Sequence, residues 1–401
     1  MNQQFEILKS IQDSLLENIS FDYKRNIYYK IDWSEKMIGL IWERWVGKTT
    51  MMLQKLKENN DWFYFSADNS IIKVSWLFKF VYYLYENYNF TIFYIDEIHK
   101  YEDWTIELKN IYDSIPNCKV VFSWSSSLDL FKWILDLWRR TSFYDIFPLN
   151  YSEFLKLFYN IDIKSYNFEY ILENHKKISF EFSSKIKDKY FKEYLDFWYY
   201  PFSKWISNNL FIQKLQILLD RIVLEDLPVF LDFKNLSLDK LRKLFYFISN
   251  STPSELSFTS LWKKINLNKN VVDNALSLLN KIGIVSLIPK FWNLSDRVRK
   301  EYKILLWNPN LYWAYSKETD IWIIRESFFV SQLRKIKNSE IFLPQKWDFI
   351  LEKFDKNYYF ELWWKNKLQR KYPKNTFIVK DNIKISESDY IVPLWVFWLI
   401  E

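Results

Sequence analysis

A chain of 401 residues is long enough for roughly two to four domains. Its 56 Lys and Arg against 49 Asp and Glu leave a net charge of +7, a mild lean towards polyanions and no electrostatic signature in itself. Cys118 is the single cysteine, which excludes a disulfide framework and a cysteine metal cluster. Met1–Phe5 shows no basic region leading into an apolar core, so no signal peptide is expected. The most apolar stretch, 76–95, is interrupted by Lys79, Glu86 and several Asn, so no membrane span and a cytoplasmic protein are expected.

In chain order, residues 5–30 read as a helical lead-in. Met37–Ile41 is a short apolar strand and 48–58 the helix after it. Trp62–Ser66 is a second strand and 71–88 a helical stretch. Thr91–Ile95 is a wholly apolar strand ending in Asp96 and Glu97. A helix at 103–113, a strand at 119–123, a helix at 127–134 and a strand at 142–149 complete the first third. Strands alternating with helices imply a parallel sheet. Apolar strands without alternation imply burial on both faces.

From 150 to about 235 the pattern turns helical. Residues 238–249 put Leu238, Leu241, Phe245 and Ile248 on one helical face. Next come Phe258–Ile265, a break at Asn266–Asn270 and a helix over Val271–Ile282, with Gly283 as the helix stop. Ile284–Ile288 and Ile304–Leu306 fit the strands of a wing. This order reads as a winged helix, with a simple packed helix pair as the alternative. Beyond 320, a helix at 324–334 and strands near 348–352, 357–362, 376–379 and 390–394 read as a separate small α/β unit.

Residues 39–50 contain the most recognisable motif. A phosphate-binding loop needs Gly-x-x-x-x-Gly-Lys-Ser/Thr between a strand and a helix. Here Trp42, Glu43, Arg44, Trp45, Val46, Gly47, Lys48, Thr49 and Thr50 fit it except for Trp42 at the first glycine. Trp45 also fills a position that wants a small residue. The chain has 3 Gly and 21 Trp, whereas ordinary usage of roughly 7% predicts about 28 Gly. Most of these Trp therefore read as glycines, from a gene in which UGA encodes glycine. Trp104 and Trp395 read as true tryptophans, and Trp33, Trp62, Trp76 and Trp313 stay open. Indoles at 42 and 45 are expected to crowd the loop and displace its backbone, because only glycine allows positive φ and close approach of the main chain at little cost.

With glycine at 42, backbone N–H groups would wrap the β-phosphate of ATP, aided by the helix N-terminus. Lys48 would bridge the β- and γ-phosphates, and Thr49 would ligand Mg²⁺. The strand ending in Asp96-Glu97 has the Walker B pattern. Asp96 would hold Mg²⁺ and Glu97 would polarise the attacking water. His99 is assigned a structural or supporting role. Ser123 and Ser125 are candidates to sense the γ-phosphate, with a serine-rich cap for the next helix as the equal alternative. Arg139 and Arg140 fit either an arginine finger, in cis or across an oligomer, or a surface ion pair.

Read with glycines, these segments resemble the prokaryotic AAA+ ATPases whose C-terminal half is a domain of unknown function. The resemblance runs on through Asp226–Pro228, Arg325–Arg334, Lys346–Ile350, Phe360–Lys367 and Pro393–Trp398. Its departures are mainly Trp at glycine sites: 42, 45, 124, 138, 322, 347, 363, 364 and 398. It implies an α/β fold with a P-loop ATPase core with parallel sheet (1–150), a helical lid (151–250), a winged-helix segment (251–318) and a restriction-endonuclease-like C-terminal domain (319–401). Glu326, Asp348, Glu361 and Lys365 resemble the acidic and lysine set of PD-(D/E)xK nucleases, in which carboxylates hold Mg²⁺ and lysine helps activate water. The spacing Glu361 to Lys365 is two residues too long for Glu-x-Lys, so a structural or nucleic-acid-binding relic is favoured over an active nuclease. The leading reading is an ATP-hydrolysing regulatory or remodelling protein, with a protein partner or a homo-oligomer open. The alternatives are an ATP-gated module binding DNA through Lys263, Lys264, Lys269 and Lys281, and a Mg²⁺-dependent nuclease.

Overall fold

Five short segments, β1 (Met37–Ile41), β2 (Trp62–Ser66), β3 (Ile92–Asp96), β4 (Lys119–Ser123) and β5 (Ser142–Asp145), the first four largely apolar, form one sheet in the order β2-β3-β4-β1-β5. Every pairing in it is parallel. The structure is a computed structural model that describes residues 1–19, 23–41, 43–58, 61–125, 137–197, 199–222, 224, 238–251, 258–265, 268–291, 302–316, 318–363 and 374–401. It divides into two units, Met1–Pro148 and Leu149–Glu401. No helix among the described residues is long and apolar enough to cross a membrane.

In Met1–Pro148 the alternation of side chains along each strand separates two cores. Met37, Ile41, Phe63, Phe65, Phe93, Ile95, Val120 and Phe122 join one cluster with residues of α1 (Asn2–Glu17), α4 (Leu77–Tyr88) and α5 (Trp104–Ser114). Ile38, Leu40, Tyr64, Tyr94 and Val121 join another with residues of α2 (Lys48–Leu56). Successive residues of a strand point to opposite faces, so a sheet covered on both sides needs apolar residues at every position. The sheet packs closely between its strands too. A Cβ on Gly39 would lie 2.7 Å from the Phe143 ring, so this position has no room for a side chain.

Several boundaries differ from the sequence reading. The lead-in helix stops at Glu17, and only Asn26–Tyr29 forms a further 3₁₀ turn. The stretch 71–88 is two helices, α3 (Ser70–Lys73) and α4, separated at Val74–Trp76. Asn69 caps α3, and the Ser75 hydroxyl donates to the Ile71 carbonyl, offering the chain a local alternative to helix. β5 ends at Asp145 rather than 149. The helix expected at 127–134 lies outside the described residues.

Leu149–Glu401 opens with α6 (Tyr151–Tyr159), which starts on a capping box. Asn150 accepts from the Glu153 N–H, and Glu153 accepts from the Asn150 N–H. After it come α7 (Phe168–Phe182), α8 (Asp188–Phe197), α9 (Asn208–Arg221), α10 (Leu238–Asn250), α11 (Phe258–Ile265) and α12 (Lys269–Lys281). An antiparallel pair, β6 (Val285–Pro289) with β7 (Tyr302–Leu306), comes next. α13 (Ile321–Leu333) is buried from Ile323 to Leu333. It precedes a mixed sheet ordered β12-β11-β10-β9-β8, built from β8 (Ser339–Phe342), β9 (Phe349–Lys353), β10 (Lys356–Trp363), β11 (Thr376–Lys380) and β12 (Ile391–Pro393).

β8 has no counterpart in the sequence reading, because a four-residue edge strand with only Phe342 buried is too short to carry a period. One helix of the expected lid, α7, shares a core with this sheet. Phe168 packs edge-on to Tyr358, and His175 contacts the Ser386 hydroxyl at 2.8 Å and the Asp389 carbonyl at 3.1 Å.

Candidate nucleotide site

The parallel topology brings the carboxyl ends of β1, β3 and β4 side by side, which is where open α/β sheets bind ligands. The chain leaves β1 through the loop to Gly47, whose φ of 94° turns it into α2 at Lys48. The first N–H groups of α2 have no acceptor within the helix and face the loop, as an anion site requires. Lys48 is buried, and its ammonium donates to the Glu43 carbonyl at 2.5 Å. Val46 is buried and its carbonyl accepts from Arg25 at 2.8 Å. The same guanidinium holds the Phe147 and Pro148 carbonyls, at 2.8 and 3.1 Å. Arg25 therefore braces the loop from behind, a role with no local signature in the sequence. Thr50 is exposed.

The loop and the β3 terminus meet at one hydrogen bond. The Thr49 hydroxyl donates to Asp96 Oδ2 at 2.6 Å. Asp96 is buried and surrounded by donors. The Tyr64 hydroxyl reaches Oδ2 at 3.0 Å, the Glu97 N–H reaches Oδ1 at 3.2 Å, and the Ser123 hydroxyl also donates to Oδ1. Burial first, then the Glu97 charge, push the Asp96 carboxyl above its ordinary range, and the Ser123, Thr49 and Tyr64 hydroxyls only partly offset this. A hydroxyl and a carboxylate at this separation are a hard-oxygen pair that fits Mg²⁺, which commonly takes one or two protein ligands and completes its shell with phosphate and water.

Glu97 stands in the left-handed region, at φ 51°, which turns its side chain away from the β3 pleat. Its Oε2 accepts from the Ser125 hydroxyl at 2.8 Å and lies 3.4 Å from His99 Nε2. Burial first, then Arg44, Lys100 and Lys48, hold the His99 imidazole at a pKa of about 3. This contact is thus a neutral ring beside a carboxylate, and neither ring nitrogen has a hydrogen-bond partner among the described residues. Ser125 touches Glu97, and Ser123 touches Asp96. Both candidate serines reach the acidic pair, and the helix that either would cap lies outside the described residues.

The remaining candidates are spread more widely. Arg140 makes a bidentate ion pair with Asp113, at 3.1 and 2.9 Å, on the surface. That contact fits the ion-pair alternative of the two sequence readings. Arg139 is exposed. In the second unit, Glu326 on α13 is buried and ion-paired with Lys303 at 2.5 Å. Burial raises its carboxyl, Lys303 opposes this, and the Asp348 charge adds to it. Asp348 accepts from the Leu362 N–H at 2.7 Å, tying the chain before β9 to β10. Glu361 is buried on β10. Lys365 lies outside the described residues. Among the described residues, no three His, Cys, Asp or Glu side chains come together as a metal site.

Trp42 also lies outside the described residues. Trp45 takes φ 63°, a conformation that suits glycine and is unfavourable for a bulky side chain. Lys48 opens α2 and Thr49 reaches Asp96 with Trp45 in this left-handed turn, and what was expected of Trp42 falls outside the described residues.

Residues 34–155 match the protein family described as an AAA domain, and residues 201–320 match a domain of unknown function. With the parallel sheet and its P-loop, the first match gives the fold: a mixed α/β architecture with a P-loop AAA+ core. An uncharacterized protein of Methanocaldococcus jannaschii is 31% identical over 318 residues, which cover 75% of this chain. The match spans 63% of that relative's length, less than two thirds. A solved structure of a DNA replication initiation factor aligns over 70% of this chain and 89% of its own, at 14% identity and a TM-score of 0.24, too low to carry an argument.

Burial moves the Lys48 ammonium from 10.5 to about 8, with Glu97, Asp96 and Glu43 only partly opposing it. Between those values the unfolded chain binds more protons than the folded one. The cost of burying this charge is therefore full below about pH 8 and fades as pH rises towards 10.5. Lys48→Met is expected to be more stable than the parent in urea, with a gap that is constant below about pH 8 and narrows above it. A gap that does not change with pH would contradict the buried ammonium.

Proposed function

We propose that the chain binds ATP with Mg²⁺ in the loop 42–50 and hydrolyses it, and that this serves a regulatory or remodelling role. The observation that carries the reading is the meeting of Thr49, Asp96 and Glu97 at the ends of the loop and β3. Thr49 and Asp96 supply the oxygens that would hold Mg²⁺ against the phosphates. Mg²⁺, when bound, offsets the charge that develops on the transferring phosphoryl group. Lys48 neutralises phosphate oxygens from the loop side. Glu97, steered by Ser125, accepts a proton from the attacking water. Lys48→Ala is expected to lose nucleotide binding. Glu97→Gln is expected to keep it and to lose about 10²- to 10⁴-fold in turnover. Unchanged phosphate release by Glu97→Gln would remove the residue from this role.

We further infer that the natural protein carries glycine where many of these indoles stand. Trp45 has a backbone conformation that favours glycine. Trp124 and Trp398 are almost wholly buried, yet their indole N–H groups have no hydrogen-bond partner among the described residues. A buried Trp N–H ordinarily finds an acceptor. Trp395, read as a true tryptophan, donates to the Lys384 carbonyl at 3.2 Å, and Trp33 donates to the Tyr28 carbonyl at 2.9 Å. By this criterion Trp33 joins the tryptophans, while Trp262 and Trp313, whose N–H groups are also buried without a partner, join the glycines. The gene is expected to read UGA at 42, 45, 124, 262, 313 and 398 and UGG at 33, 104 and 395. UGG throughout would overturn the inference.

A second reading, an ATP-gated DNA-binding module, is supported by the run of α10, α11 and α12 into the antiparallel β6–β7 pair, with Lys263, Lys264, Lys269 and Lys281 all exposed. Binding to duplex DNA that weakens steeply with salt is then expected. No binding at low salt would eliminate it.

A further inference from the structure

We propose that Tyr64 is a positioning residue for the Mg²⁺-binding carboxylate, holding Asp96 Oδ2 from the neighbouring strand β2. The inference rests on the ATP·Mg²⁺ reading of the site and concerns a side chain outside both nucleotide motifs.

Asp96 Oδ2 receives two hydroxyls, Thr49 at 2.6 Å and Tyr64 at 3.0 Å. They differ in kind. Thr49 belongs to the nucleotide loop, and its oxygen is the one that would turn to the metal. Tyr64 belongs to the sheet and has no part in holding phosphate. It sits two residues before Ser66, the register partner of Asp96, so its ring extends along β2 towards the carboxylate. The ring is fixed by burial in the core beside α2. The strand beneath it is fixed from outside. β2 is an edge strand, and its Tyr64 N–H donates to the side-chain oxygen of Gln12 on α1, at 2.8 Å, with Gln12 itself buried. The edge is thus closed by a helix side chain at the residue whose hydroxyl reaches Asp96.

The consequence is a carboxylate whose orientation is set before any nucleotide arrives. A hydrogen bond to a charged group is stronger than one between neutral groups. Without it, Oδ2 is held only by Thr49, the hydroxyl that would itself turn to the metal, while Ser123 and the Glu97 N–H hold Oδ1. A tyrosine that merely fills the core would give no such dependence on metal.

The test compares Tyr64→Phe with Tyr94→Phe in the full chain, carrying whichever residue its gene specifies at 42 and 45. Tyr94 is the register partner of Tyr64 and lies in the same core, but the charges that act on its hydroxyl are Glu58 and Asp61. Binding of a fluorescent ATP analogue is titrated with Mg²⁺ and, separately, in EDTA. Tyr64→Phe is expected to bind the analogue in EDTA as the parent does, and to need about tenfold more Mg²⁺ to reach the parent's Mg²⁺-dependent affinity. Tyr94→Phe is expected to match the parent in both. An unchanged Mg²⁺ requirement in Tyr64→Phe overturns the proposal. So does an equal loss in EDTA and Mg²⁺, or the same shift in Tyr94→Phe, since those are effects of core packing. A parent chain that binds no ATP in either condition overturns the ATP reading itself.

Discussion

The hydrogen bond from Thr49 to Asp96 joins the first turn of α2 to the end of β3, and the arrangement of the site depends on it. Asp96 is a buried acid in a setting that disfavours its charge, so it needs donors from several directions. They come from four places: the nucleotide loop, the backbone after β3, the end of β4 and the middle of β2. A parallel sheet is what allows this. Its strands end on one edge, so residues far apart in sequence present side chains to one point. The same edge carries Glu97, whose left-handed backbone aims its carboxylate at Ser125 on the chain leaving β4.

Around this centre the loop is held by contacts of another kind. Arg25 binds three carbonyls, one in the loop and two at the end of the first unit, so a single buried guanidinium fixes the loop from outside the motif. Lys48 is kept in place by the Glu43 carbonyl. Its burial lowers its pKa, and a phosphate would restore what burial takes away, because an anion beside an ammonium favours the charged form. The second unit treats its buried acids differently. Glu326 is also a buried carboxylate, but it is answered by the ammonium of Lys303, and Asp348 is answered by a backbone N–H.

Much of the core was legible before any coordinates. The strands of the parallel sheet were found because residues buried on both faces are apolar at every position, and the loop because strand, Gly47-Lys48-Thr49 and helix occur in immediate succession. Elements without such a signal were misread. The break at Val74–Trp76 is invisible to helical periodicity, and β8 is too short to show a period. The composition points to recoded glycines, and Trp45 takes a left-handed turn that favours glycine.

The sequence by itself determined the order of elements, the nucleotide motif and the pairing of Asp96 with Glu97, because each is written in residues close together along the chain. Only the tertiary structure decided that Tyr64 and Arg25 belong to the site, that Ser123 reaches Asp96, that Arg140 pairs with Asp113, and that the helix from Phe168 packs on the C-terminal sheet. These are contacts between residues tens to hundreds of positions apart. Which of them form depends on strand order and on which face each side chain takes, and neither is encoded in any local stretch of sequence.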